Sequence, residues 1–324
     1  MNPDVVRAVE ALSRDGSLPQ AVAPRLRRVA AGALVSVRDE LRALLYLGVL
    51  VTVACVGLLV KDNLSRLGPV TIAVAIGAVS AGCLVWTNRQ AAPFTWGETK
   101  ETHLAFDYVL LLGALLVATD LAFIETKFTP LGASWPWHLF FVGVFYAALA
   151  FRFDSKTLFS LSLTSLAAWR GVRVWFPVRN WDEAIDDRLF YEALACGIVS
   201  VAIGKLLERA RRKPHFEPVG TYFGWLLVFG AFVGRSFADA SSWPQSLVLL
   251  ATGALVSWFA FEERRIGLVA MGLAGAAWGT GDLAERAIHS LDLGEKSSIA
   301  SIVVIAAGVV AILHRANRAL EARR

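Results

Sequence analysis

The chain has 324 residues, 56% of them hydrophobic and 18% charged, with a mean hydropathy of +0.54. Soluble domains carry about 25% charged residues, so the composition excludes a soluble enzyme with a single anchor and points to a membrane protein. The three cysteines, Cys55, Cys83 and Cys196, lie inside apolar blocks with no CxxC pair, which leaves neither a disulfide framework nor a zinc site.

In residues 1–42 the apolar positions are spaced helically among charges, without the continuous apolar core of a signal peptide. Asn2-Pro3-Asp4 reads as a helix start and Gly16 as its stop. A second stretch carries Val22, Leu26, Val29, Ala33, Val37 and Leu41 opposite Arg25, Arg28 and Arg38. This segment is expected to be cytosolic and amphipathic, lying on the membrane surface or against itself, and to offer a surface for a protein partner.

Charge-poor blocks then predict ten helices: Ala43 to Val60, Leu67 to Thr87, Leu104 to Ile124, Pro136 to Phe151, Thr157 to Trp169, Leu189 to Leu206, Val219 to Gly234, Pro244 to Phe261, Ile266 to Thr280 and Ser298 to His314. A span needs about 20 apolar residues. Thr157 to Trp169 is short and rich in hydroxyls, so a re-entrant or interfacial helix is its alternative reading. The expected fold class is all-α, a polytopic membrane bundle of about ten transmembrane helices spanning residues 43–317, followed by a basic cytosolic tail, 318–324.

Lys and Arg counted over alternate segments give 22 on the side of the N-terminus and 10 on the other. The positive-inside rule then places both termini in the cytoplasm. The formal net charge of +5 reflects this topology and calls for no nucleic acid; membrane lipids are the expected partners, anionic ones at the basic N-terminal segment. Trp135, Trp137, Trp169, Trp175, Trp181, Trp243 and Trp278 fall at the outer ends of helices or in outer loops, as interfacial aromatics do.

The chain also matches itself. Ala73 to Ser80 resembles Ala193 to Ser200, and each is followed, twelve residues after its Gly77 or Gly197, by Arg89 or Arg209. Trp135-Pro136 pairs with Trp243-Pro244, Gly143 and Phe151 with Gly253 and Phe261, and Ala168-Trp169 with Ala277-Trp278. These matches keep one order, which suggests two parallel four-helix repeats, 67–169 and 189–280, with one further helix at each end.

Charge buried in a span is a functional suspect, because inserting it costs about 2.5–3.5 kcal/mol. Asp107 and Glu192 sit at helix N-termini that favour a carboxylate, and Lys205 sits where snorkelling accounts for it. Asp120 lies at an unfavourable helix C-terminus, and Arg235 ends the equivalent helix of the second repeat, so the two are candidates for an intramembrane ion pair; a solvated Asp120 beside Lys127 is the alternative. In the outer loop Arg170, Arg173, Trp175, Arg179 and Trp181 interleave, suited to headgroup phosphate, with Asp182, Glu183, Asp186 and Asp187 as internal neutralisers. No catalytic, cofactor-binding or metal-binding signature is present in the sequence, and Asp282 with Arg286 reads as a solvated helical pair.

Leu12-Ser-Arg-Asp-Gly16-Ser-Leu18-Pro-Gln20, Tyr46-Leu-Gly48, Val56-Gly57-Leu58, Asp62-Asn63-Leu64 and Gly68-Pro69 resemble the N-terminal region and first helical hairpin of the predicted bacterial membrane proteins grouped as domain of unknown function 2157. The resemblance covers roughly residues 12–125, and Leu64 stands where that family has an aromatic. It implies a multi-pass bacterial inner-membrane protein and no catalytic residues. The expected function is transport or handling of a lipid or small molecule without mid-membrane ion-coupling carboxylates; the alternative is a non-transporting scaffold or sensor.

Overall fold

The computed structural model describes residues 38–98, 104–128, 134–171, 187–236, 243–291 and 295–322. Among them every regular element is helical: α1 Arg38–Leu67, α2 Pro69–Gln90, α3 Leu104–Lys127, α4 Pro136–Phe153, α5 Lys156–Trp169, α6 Asp187–Arg209, a 3-10 turn Pro214–Phe216, α7 Glu217–Ser236, α8 Trp243–Glu262, α9 Ile266–Ser290 and α10 Glu295–Ala322. Each of the ten charge-poor blocks thus forms a helix; α1, α9 and α10 run more than a turn beyond an expected end, and the others differ by a turn or less.

Seven of these helices are long and apolar enough to cross a membrane: α2, α3, α4, α6, α7 with its 3-10 turn, α8 and α9. This is the build of a multi-pass membrane protein. The described side chains of α1, a helix of 30 residues, include the apolar stretch Leu44–Leu58, and α5 has 14 residues. The amphipathic segment before α1 lies outside the described residues.

Two compact units divide the described residues, one formed by those within 1–84 and 104–119 and the other by those within 85–103 and 120–324. In the first, Gly113 of α3 faces Cys83 and Leu84 of α2 so closely that a β-carbon there would lie 2.9 Å from Cys83 Cβ. Leu110 and Ala114, one turn apart on the same helix, are fully buried, and Tyr46 meets Tyr108 edge to face at 5.0 Å.

The second unit is built from helical hairpins, with α4 packed on α5, α6 on α7 and α8 on α9. Glycine makes the latter two close. A β-carbon on Gly224 would come within 2.5 Å of the Gly197 carbonyl and of Val201, and one on Gly272 within 2.7 Å of the Gly253 carbonyl. In the α4–α5 hairpin the corresponding contact is a hydrogen bond, Ser162 Oγ donating to the Gly143 carbonyl at 2.8 Å.

Both the α4–α5 and α8–α9 turns close by the same device. Asp154 and Arg264 take left-handed conformations, with φ of 64° and 59°. The next residues, Ser155 and Arg265, then donate their N–H to the buried Ala150 and Ala260 carbonyls and start the following helix. Ser155 also caps α5, its hydroxyl accepting from the Leu158 N–H.

Candidate functional site

The turns of the second unit gather at one end, the connector end, and meet on the short segment Lys213 to Glu217. Pro214 starts its 3-10 turn with a preset φ, after a left-handed Lys213 whose N–H donates to the Trp96 carbonyl at 2.8 Å. This turn carries Lys213, His215 and Glu217 into the protein, with side chains 1%, 6% and 2% exposed.

On one flank Lys213 Nζ lies 3.0 Å from Asp154 Oδ1. His215 Nε2 approaches the same oxygen to 2.6 Å, in an orientation that gives an electrostatic contact without hydrogen-bond geometry. Residues 91–98 cover this cluster. Phe94 lies 5.3 Å from the Lys213 ammonium and Trp96 lies 4.8 Å from the Arg212 guanidinium, while Ala92 accepts from Arg152 and Glu98 pairs with Lys156. Beneath it Phe159 stacks on Phe216 at 4.7 Å, with Phe151 edge-on to both.

On the other flank Glu217 takes both carboxylate oxygens to Arg265 Nη1, at 2.8 and 2.6 Å. Oε1 also accepts from Thr221 at 2.8 Å and faces Lys205 Nζ at 3.0 Å. Lys205 and Arg265 reach on to Glu263, at 3.2 and 3.0 Å. Burial works against the charge of Arg265, but the bonds and the negative charge of Glu217 outweigh it and hold the guanidinium above its ordinary range. Lys205 therefore does more than snorkel: it also meets Glu208 at 3.4 Å and so belongs to a network of three acids and two bases, which only the approach of α6, α7 and the α8–α9 turn creates.

At the opposite end Trp137 and Phe140 pack on Trp169, at 5.6 and 4.8 Å. Trp96 and Trp258 belong instead to the connector end, where Trp258 donates to Glu262. Arg170 holds Glu192 in a two-pronged pair at 2.6 to 2.9 Å, an internal partner for one of the arginines suited to headgroups. Arg173, Trp175, Arg179 and Trp181 lie outside the described residues. The structure does not join Asp120 and Arg235: Asp120 Oδ1 is buried and takes no hydrogen bond, while the Arg235 guanidinium lies over the Phe190 ring at 4.8 Å.

Also at this end a groove of about 610 Å³ opens between α9 and α10, reaching Ser236 at the end of α7. Ala274, Ala277, Ile305, Ala306, Val309 and Val310 make its apolar wall, and Trp278, Asp282 and Glu285 its rim. The Trp278 indole is fixed by donating to Ser236 Oγ at 2.7 Å. Asp282 accepts from Ser246 and from Arg286 at 3.0 Å, so the expected pair with Arg286 is formed, with the carboxylate mostly buried and not solvated. Among the described residues no group of three His, Cys, Asp or Glu is placed to hold a metal ion.

The seven apolar helices make this an all-α, multi-pass membrane protein. No family model matches the chain, and no curated protein or solved structure is significantly similar to it.

Proposed function

We propose that this membrane protein binds and handles an amphipathic small molecule in the groove between α9 and α10. The observation that carries this reading is the groove itself. Its volume of about 610 Å³ falls within the roughly 300–1,000 Å³ of small-molecule sites, and its apolar wall with a few polar rim groups has their usual character. In this reading the protein resides in a bacterial inner membrane with the connector end and both termini in the cytoplasm, supported by the distribution of Lys and Arg. Helices α2–α5 and α6–α9 are then parallel repeats, supported by the matching turns at Asp154 and Arg264 and the matching contacts at Gly143 and Gly253. The likeness of residues 12–125 to domain of unknown function 2157 accords with such a protein.

Native mass spectrometry of the full chain released from nanodiscs tests the reading. A single small amphipath should be retained by the wild type and lost in Ala306→Trp, which fills the groove. A scaffold that works through its N-terminal segment would release no such ligand from either form.

A further inference from the structure

Resting on that reading of the groove, we infer that its occupant is a lipophilic monocation: an amine, quaternary ammonium or phosphonium on a compact apolar body. Three observations converge on a positive charge.

The first is the charge left at the rim. Asp282 is matched by Arg286, whereas Glu285, one turn from Asp282 on the same helix, is exposed and lines the groove. Over the lining residues and the partner of Asp282, namely Asp282, Glu285 and Arg286, the charges sum to one negative. Arg235, the cation next in sequence to the lining residue Ser236, is directed onto Phe190 of α6.

The second is Trp278. Its Nε1–H is committed to Ser236, which fixes an indole at the groove edge, and an indole face attracts a cation. An anion would gain nothing from that face and would be repelled by Glu285.

The third is the depth of the apolar wall, from Asp282 and Glu285 down to Ala274 on α9 and along α10 from Ser301 to Val310. A small hydrated cation has no use for such a wall, whereas an apolar body with its charge at one end satisfies both parts. The volume suits a drug-sized body, which sets a free lipophilic cation ahead of a two-chain phospholipid.

The test is equilibrium binding of radiolabelled tetraphenylphosphonium to the full chain in phosphatidylcholine nanodiscs, with tetraphenylborate as an anion of the same shape. Saturable phosphonium binding is expected, about tenfold weaker in Glu285→Gln, a loss of about 1.4 kcal/mol, and abolished in Ala306→Trp. Tetraphenylborate should not compete. Glu285 is exposed, so its variant should keep the wild-type melting temperature, which separates lost binding from lost folding.

Equal binding of borate and phosphonium, both removed by Ala306→Trp, would overturn the charge preference and leave the groove reading standing. Absence of saturable binding, or binding indifferent to Ala306→Trp, would overturn both. Competitive loss of phosphonium binding in nanodiscs containing phosphatidylethanolamine would assign the site to a lipid headgroup amine and overturn the free cation.

Discussion

Asp154 and Arg264 end their helices in the same left-handed conformation, φ 64° and 59°, and the turns they form grip the two flanks of one segment, Lys213 to Glu217, with opposite charge. At the first turn an acid, Asp154, meets two bases of the segment. At the second a base, Arg265, meets its acid, Glu217. The α6–α7 connector is thus held between two hairpins of one local geometry by two ion clusters.

Asp154→Asn should destabilise the protein by about 3–5 kcal/mol, because it leaves the buried Lys213 ammonium without its carboxylate. Asn keeps the left-handed backbone at tolerable cost, so the loss reports the charge and not the turn. Combining it with Lys213→Met should recover much of the loss, since a neutral pair of similar volume removes the uncompensated charge. Thermal unfolding of both singles and the double in detergent measures this, and additive losses would show that the two side chains act independently.

Glu217→Gln should likewise lower stability, by less than Asp154→Asn, since Lys205 and Arg265 are 33% and 23% exposed and water can take up their charge. Lys205→Met alone should cost about 0–1 kcal/mol, because Arg265 still satisfies both Glu217 oxygens. A larger loss in Lys205→Met than in Glu217→Gln would contradict this order.

Arg264→Gly should stabilise by about 0.5–1 kcal/mol, since glycine enters the left-handed region without the Cβ penalty that arginine carries there. Arg264 is exposed, and the network runs through its neighbour Arg265. A melting temperature that falls would indicate that the Arg264 side chain holds something the backbone argument omits.

Gly224→Ala should cost about 1–3 kcal/mol by forcing α6 and α7 apart, because the new methyl would meet the Gly197 carbonyl and Val201 at 2.5 Å. Gly230→Ala, on the same helix with open space at its β-carbon, should be neutral or slightly stabilising. Parallel melts of the two variants check the helix contact against glycine's effect on the unfolded chain.

The helices were legible in the amino-acid order because a span is a local property. A long, mostly apolar run identifies a helix such as Pro136–Phe153, 18 residues, wherever it packs, and Trp-Pro or Gly punctuation marks its ends. The Asp282–Arg286 pair was legible for the same reason, being four residues apart on one helix. Lys205, Glu217 and Arg265 carry no such signature. Each reads alone as an ordinary charge near a helix end, and their meeting depends on how α6, α7 and the α8–α9 turn approach one another. Arg170 with Glu192, Asp154 with Lys213, and the seating of Arg235 on Phe190 arise in the same way. Hydropathy acts along the chain and so survives in one dimension. Charge pairing and the shape of a groove are set by distances between residues far apart in sequence, and those exist only once the helices are packed.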